Sequence, residues 1–312
     1  VLNLLKKIKL NFFWILIIFS TITFLYPLAE LEALGRKDIY VILCFLVFTL
    51  LDFNSLNKII TAFLIFFTFS SLIHEISFFY LPYYFLIIFF RSYFKLKKKI
   101  NIKHILIILT YISILAFLHL FISGNAKIDD IVKSYNVFSY NLSENYGAFS
   151  WLLKPLNEHL SNIYESISLK YIIRYLYLIL INVWIIVHFI RLKEKIIFFL
   201  KEIKISHIFC ILVVLSFPIY IFALDWGRVT YITFNFMFII IIFFQKDKLI
   251  DLNYLEKKIK PLSLKIKTII FFFICILYGP KILMTDDLSG FPLYKTFDKI
   301  QDTLSNNLSL FQ

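Results

Sequence analysis

Long apolar stretches separated by short polar segments dominate this chain. Only helices or closed barrels satisfy their backbone hydrogen bonds in lipid. The stretches are continuous rather than alternating, which disfavours a barrel. The pattern therefore predicts an all-α, polytopic transmembrane helix bundle of about nine spans. The predicted spans are approximately residues 10–28, 39–51, 59–73, 76–90, 104–123, 169–190, 205–224, 229–244 and 268–280. 

The stretch 59–90 is interrupted at His74-Glu75. As one helix it would be about 48 Å long at 1.5 Å per residue, which is too long for a bilayer. Two crossings or a re-entrant hairpin are the alternatives. Both keep the two ends of the stretch on the same side of the membrane and place His74-Glu75 toward the opposite face.

The basic residues indicate the orientation. The net charge is +13, but Lys and Arg lie in short segments between apolar stretches, so we expect no nucleic-acid partner. With the N-terminus in the cytoplasm, 22 Lys and Arg fall inside and 9 outside. This distribution follows the positive-inside rule. It predicts a multi-pass protein of the bacterial inner (plasma) membrane, with a cytoplasmic N-terminus and a periplasmic C-terminus.

Residues 1–280 form the predicted bundle, and 281–312 a polar periplasmic tail. The largest periplasmic loop is 124–168. Its apolar residues recur at three- and four-residue spacing, which predicts an amphipathic helix. Such a helix would lie on the membrane surface or act as a lid over a cavity. The residues of this apolar stripe are Phe149, Leu152, Leu153, Leu156, Leu160, Ile163, Tyr164 and Ile167.

Two polar motifs, His74-Glu75 and Asp225-Trp226-Gly227-Arg228, each separate two apolar stretches. Ionisable groups at membrane depth are costly and are retained mainly where they function. The charge distribution places both motifs at the external face. Arginine binds phosphate through two parallel hydrogen bonds, and a carboxylate or histidine can take a proton from a hydroxyl group.

These residue types suit transfer from a phosphate-linked donor without a metal or other cofactor. We expect Arg228 to hold pyrophosphate, Glu75 or Asp225 to act as the base, and His74 to orient the base or bind the acceptor. Structural roles remain open for the same residues. Asp225 and Arg228 could form a salt bridge at a helix turn, and Glu75 with His74 could cap a helix end.

The aromatic residues beside these motifs also allow two interpretations. Tyr80 and Tyr83 could stack on a sugar ring, or they could belong to a lipid-facing belt. Trp226 lies where an aromatic belt forms, so it could bind substrate or anchor the protein at the interface.

The arrangement resembles the bacterial O-antigen and exopolysaccharide polymerases. The resemblance rests on His74-Glu75 before the aromatic-rich run 76–90, on the loop 124–168, and on the Asp225-Trp226-Gly227-Arg228 motif. It implies a metal-independent glycosyltransferase that joins units carried on polyprenyl pyrophosphate at the periplasmic face. It also implies other polysaccharide-assembly proteins as partners and arginines as phosphate ligands, for which Arg36 and Arg174 are further candidates.

Two other functions are compatible with the sequence. A polyprenyl-phosphate-sugar glycosyltransferase would use carboxylates of the first external loop, which contains Glu30, Glu32 and Asp38. A transporter or flippase of lipid-linked sugars or anionic lipids would need ionisable residues near the bilayer midplane.

Overall fold

The computed structural model describes residues 37–98, 100–122, 156–173, 175–176, 179–180, 191–192, 205–223, 225–247, 250–251 and 269. Several predictions therefore lie outside the described residues. They are the first span, the tail 281–312, nearly all of the last span, most of the loop 124–168, and the positions of Glu30, Glu32, Arg36 and Arg174.

The described residues are mostly helical. The helices are α1 (Asp38–Leu50), α2 (Leu56–Ile73), a 3-10 helix (Glu75–Tyr80), α3 (Leu81–Phe90), a π-helical turn (Arg91–Lys95), α4 (Ile102–Ile122), α5 (Leu156–Ser166), α6 (Ile205–Ser216), α7 (Pro218–Phe222) and α8 (Trp226–Lys246). Two two-residue strands, β1 (Arg191–Leu192) and β2 (Ile250–Asp251), pair antiparallel. The helical class predicted from the apolar pattern is confirmed for these residues.

Four helices are long and apolar enough to cross a membrane: Leu56–Ile73, Glu75–Lys95, Ile102–His119 and Trp226–Lys246. Each coincides with a predicted span. Helix α1 has 13 residues and is therefore only about 20 Å long. The predicted span 205–224 is divided into α6 and α7 at Phe217, directly before Pro218. The total of about nine spans stays a prediction.

The stretch 59–90 forms two helices with a break at His74, as the polar pair predicts. Ser55 begins α2, because its hydroxyl accepts a hydrogen bond from the Lys58 amide. At His74 the backbone becomes extended, with φ −157° and ψ 125°. The next helix runs back along α2, so the Ser70 and Ser77 hydroxyls lie 2.8 Å apart. The length of each helix favours two crossings over a re-entrant hairpin.

Helix α8 is the centre of the described bundle, since nearly all of its residues are buried within the protein. Phe236 stacks on Phe45 of α1 with ring centroids 4.1 Å apart and also contacts Tyr80 at 4.7 Å. Tyr84 packs edge-on against Phe45 and Phe67. These contacts fix α1 and α3 against α8 and bring their first residues to the same end of the bundle.

That end carries Asp38, His74 and Arg228, and we call it the Arg228 end. The opposite end, the Arg91 end, carries a different set of charges. Arg91 is 2% exposed and donates to the carbonyls of Phe48 and Thr49 at 3.1 and 2.6 Å. It therefore satisfies carbonyl groups in the last turn of α1, which the helix itself leaves unpaired.

At the Arg91 end Asp52 binds Lys95 and Lys246 at 2.7 and 3.2 Å. The hydrogen bond from Lys95 lowers the pKa of Asp52, whereas burial raises the pKa of Asp247. The two ends of the bundle thus differ in charge among the described residues. Lysines are the most frequent charged groups at the Arg91 end, and carboxylates are the most frequent at the Arg228 end.

Candidate functional site

The start of α8 positions the first two charged groups of the site. Asp225 is the residue before the helix, and its carboxylate makes no capping bond to the backbone. Instead it forms an ion pair with the Arg228 guanidinium, one helical turn further on. The predicted pair of these two residues is therefore present, and it turns the Arg228 side chain toward the helix start.

Asp38 provides the main partner of Arg228. Nε of Arg228 donates to Oδ2 of Asp38 at 2.8 Å, and Nη2 donates to Oδ1 at 2.9 Å. Asp38 is the first residue of α1, where a negative charge is favoured by the helix dipole. Its side chain is only 3% exposed and that of Arg228 14%. A parallel two-point bond of this kind fixes both the distance and the plane of the guanidinium.

His74 joins the two motifs that the sequence singled out. Its Nε2 lies 3.1 Å from Nη2 of Arg228, and its Nδ1 lies 3.2 Å from Oε2 of Glu75. A neutral imidazole has one donor and one acceptor nitrogen. Nδ1 also accepts a hydrogen bond from the Ile76 amide at 3.4 Å, so the His74 side chain caps the start of the 3-10 helix. The break between α2 and the 3-10 helix places the ring there.

Glu75 is the accessible member of the cluster. Its side chain is 77% exposed, compared with 17% for His74 and 26% for Asp225. It therefore combines an ion-pair contact with the imidazole, at 3.2 Å, with contact to the surroundings. Among Asp38, Glu75 and Asp225, Glu75 is the carboxylate that an incoming hydroxyl group reaches most easily.

The guanidinium of Arg228 is almost saturated by protein acceptors. Arginine has five N–H groups, and four of them point to Asp38, Asp225 and His74. The fifth, on Nη1, has no partner among the described residues. An anion can therefore bind one N–H group directly. It can bind further N–H groups of Arg228 only if Asp38, Asp225 or His74 moves away.

A layer of buried hydroxyl groups lies directly beneath the charged cluster. Tyr80 donates to the carbonyl of Val229 at 3.0 Å and lies 2.9 Å from the hydroxyl of Thr233. The hydroxyls of Tyr220 and Thr230 are 3.1 Å apart. These bonds join the 3-10 helix and α7 to the first two turns of α8, so the backbone that holds Arg228 is braced from two sides.

The predicted aromatic site residues face the protein interior. Tyr80 and Tyr83 are both 0% exposed. The Tyr83 hydroxyl accepts a hydrogen bond from Ser216 at 3.1 Å. Trp226 is 7% exposed and donates from Nε1 to the Tyr220 carbonyl at 2.8 Å. In this arrangement the three side chains contact protein groups, and neither a sugar ring nor lipid reaches their faces.

Asp38 is the residue that the predicted site lacks. The charge distribution predicts that it belongs to the first external loop, on the same face as the two motifs. Sequence spacing does not connect it with Arg228, which lies 190 positions later. The signal that could identify it is its position as the last polar residue before the apolar stretch 39–51. Such a residue starts a helix at the same depth as Asp225.

In the four spans, every Asp, Glu, Lys and Arg lies within the first or last five residues. Within the same residues no group of three or more His, Cys, Asp and Glu side chains is arranged to hold a metal ion. Across the described chain, ionisable groups are thus concentrated at the two ends. No family model, curated protein or solved structure matches this chain.

Proposed function

We propose that this chain is a membrane glycosyltransferase of the polysaccharide polymerase type. It joins oligosaccharide units carried on polyprenyl pyrophosphate at the external face of the membrane. The observation that carries the proposal is the contact of His74 Nε2 with Arg228 Nη2 at 3.1 Å. It unites an accessible carboxylate, an imidazole and a guanidinium at one end of a bundle of membrane-spanning helices.

The reaction would proceed by displacement at the anomeric carbon of the donor sugar. The acceptor hydroxyl oxygen forms the new glycosidic bond, and the bond to the leaving pyrophosphate breaks with its electron pair. The hydroxyl proton passes to Glu75, which is 77% exposed, or to Asp225. Proton transfer to a positioned base accelerates such steps by roughly 10²–10⁴-fold.

Arg228 stabilises the negative charge that develops on the leaving pyrophosphate. The Nη1 hydrogen that has no acceptor among the described residues makes the first contact, and Asp38 keeps the guanidinium in a fixed plane through two bonds of 2.8 and 2.9 Å. A preorganised cation of this kind stabilises a transition state because it needs no rearrangement during the reaction. Asp38 is accordingly a positioning residue in this mechanism.

His74 links the base to the cation. Its Nδ1 lies 3.2 Å from Oε2 of Glu75, and this contact holds the carboxylate beside the cluster. When Glu75 accepts the substrate proton, its attraction to the imidazole weakens and the carboxyl group turns to solvent to release the proton. Alternation between these two positions would return the base to its starting state after each transfer.

A second candidate is a polyprenyl-phosphate-sugar glycosyltransferase with its base in the first external loop. The position of Asp38 at the centre of the cluster, in contact with Arg228, favours it. This function requires that Asp38 itself receives the proton. Replacement of Asp38 by Glu would then reduce transfer as strongly as Glu75→Gln does in the polymerase mechanism, whereas Glu75→Gln would leave transfer unchanged.

The decisive experiment is chain extension by Arg228 variants. Cells in which Arg228→Lys is the only copy should make short surface polysaccharide, because a lysine ammonium lacks the planar fork that binds phosphate. Lys95→Ala is the matched control. It removes one positive charge from the Arg91 end and should leave chain length unchanged. Normal chain length with Arg228→Lys at normal protein abundance would refute the phosphate role.

A further inference from the structure

A cleft lies at the Arg91 end of the bundle, where α2 and α4 begin. Its volume is about 290 Å³, which corresponds to roughly ten water molecules at about 30 Å³ each. The cleft is therefore large enough for a phosphate ester group. The residues that line it are Ser55, Leu56, Asn57, Lys98 and His104.

Lys98 brings an uncompensated positive charge to this cleft. Its side chain is exposed, and among the described residues no carboxylate lies within ion-pair distance of it. The carboxylate of Asp52 binds Lys95 and Lys246 instead. Lys103, in the first turn of α4, is exposed as well. The described surroundings of the cleft are thus positively charged, which favours an anionic ligand.

The backbone of Lys98 is held in place by Ser92, which is buried. The Ser92 carbonyl accepts a hydrogen bond from the Lys98 amide at 2.9 Å, and the Ser92 hydroxyl donates to the Lys98 carbonyl. Lys97, directly before, has a φ of 53°. A residue other than glycine adopts this left-handed conformation at an energetic cost, and it does so where the surrounding structure enforces it. The turn therefore fixes the point from which the Lys98 side chain reaches the cleft.

Neutral donors belong to the same lining. Oδ1 of Asn57 lies 3.3 Å from Nε2 of His104, which leaves the amide nitrogen of the Asn57 side chain without an acceptor among the described residues. The backbone amides of Leu56 and Asn57 are in the first turn of α2, where a helix provides no acceptor. Side-chain and backbone N–H groups of this kind bind phosphate oxygens. Together with the Lys98 ammonium group, they are available to one phosphate group.

An exposed apolar surface begins directly beside the cleft. Ile102, Ile105 and Leu109 recur at three- and four-residue spacing along one side of α4 and are 75%, 46% and 50% exposed. Helix α4 is long and apolar enough to cross a membrane, and only 11% of its span is buried within the protein. In a bilayer, acyl chains cover such a surface, because they are as apolar as the side chains themselves. A ligand whose phosphate group lies in the cleft can therefore continue along α4 as hydrocarbon.

We infer that the cleft binds the phosphate group of an anionic phospholipid, whose acyl chains lie along α4. Basic pockets between membrane-spanning helices bind anionic headgroups in this way. The uncompensated charge of Lys98 favours a headgroup with net negative charge over a zwitterionic one. The inference does not depend on the proposed reaction, since the cleft lies at the opposite end of the bundle from Arg228.

Lipid binding to the full chain in micelles of a neutral detergent measures this site. Native mass spectrometry counts the bound lipids while dioleoyl phosphatidylglycerol or dioleoyl phosphatidylcholine is added at increasing concentration. We expect one phosphatidylglycerol molecule to bind about fivefold more tightly than phosphatidylcholine, which is the contribution of one lysine near an anionic lipid. Glycerol 3-phosphate has the phosphate ester but no acyl chains, so an excess of it should not displace the lipid.

Lys98→Gln should weaken the binding of this phosphatidylglycerol molecule by about fivefold. Lys58→Gln is the matched control. Lys58 is exposed at the same end and carries the same charge, but it does not line the cleft, so its replacement should leave the affinity nearly unchanged. Asn57→Leu removes a donor without a change in net charge. It should also weaken binding, and it replaces Lys98→Gln if that variant fails to fold.

Three results would overturn the inference. Equal losses in Lys98→Gln and Lys58→Gln would show a general attraction to a basic surface rather than a site. Equal affinity for the two phospholipids would show that the charge of the cleft does not select the headgroup. Displacement of the lipid by glycerol 3-phosphate would show that the cleft binds a soluble phosphate compound and that α4 contributes nothing to recognition.

Discussion

Arg228 and Asp38 lie 190 positions apart in the sequence and form a two-point ion pair, with bonds of 2.8 and 2.9 Å. The pair joins the first turn of α8 to the first residue of α1. Asp38 is 3% exposed, so its carboxylate depends on Arg228 for compensation of its charge. Loss of either partner leaves the other as an uncompensated buried charge, and such losses cost about 3–5 kcal/mol.

We therefore predict that Arg228→Gln and Asp38→Asn each lower the free energy of unfolding by several kcal/mol. The double variant should lose less stability than the two single variants lose in sum, because neither charge is then left without its partner. Denaturant titrations in micelles of the single and double variants give the coupling energy directly. A coupling energy near zero would show that the two side chains do not depend on each other.

Glu75→Gln should leave stability nearly unchanged, since the side chain is 77% exposed. Its effect should instead appear in transfer, with a loss of about 10²-fold or more in rate, the usual contribution of a general base. Polymer length, measured together with protein abundance, separates these effects. A fall in abundance with a normal rate per molecule would mean that Glu75 only caps the turn after α2.

Tyr80→Phe tests the hydroxyl layer beneath the cluster. The Tyr80 hydroxyl bonds the Val229 carbonyl and the Thr233 hydroxyl, and it is buried. Its removal should cost about 1–3 kcal/mol, because a buried polar group loses its partner. Tyr40→Phe is the control: its ring is 57% exposed, so the change should stay within about 0.5 kcal/mol. Thermal unfolding of both variants in the same micelles makes the comparison.

Asp52 and Asp247 should respond to pH in opposite ways at the Arg91 end. The pKa of Asp52 is lowered by its bond to Lys95. Asp52 therefore stabilises the fold above the unfolded pKa of about 3.9, and this stabilisation is lost as the pH falls through the folded value. Burial raises the pKa of Asp247. Its protonated carboxyl group therefore favours folding at low pH, and the ionised carboxylate opposes folding at higher pH.

The corresponding variants should differ in sign at neutral pH. Asp52→Asn should lower stability by no more than about 1 kcal/mol, the usual range for exposed ion pairs, and the difference should vanish in acid. Asp247→Asn should raise stability at neutral pH. The unfolding temperatures of both variants are measured at neutral and acidic pH. If both substitutions shift the unfolding temperature in the same direction at neutral pH, the prediction is wrong.

Helix boundaries in the described region follow closely from the sequence. The polar pair His74-Glu75 predicts a break in 59–90, and the chain does become extended at His74. The Asp225 motif predicts the start of a late span, and α8 begins at Trp226. In both cases a charged group is costly within hydrocarbon. The position of charged residues in the sequence is therefore enough to predict where an apolar helix ends.

The sequence by itself thus determined the helical class of the described chain, the position of its polar groups at helix ends, and which charged residues share an end. Only the tertiary structure decided that Asp38 binds Arg228 and that Tyr80, Tyr83 and Trp226 are buried. The reason is that lipid tails are as apolar as a packed protein interior. Hydropathy therefore reports how deep a residue lies but carries no signal for which side of its helix meets a neighbour, and packing around α8 alone fixes that rotation.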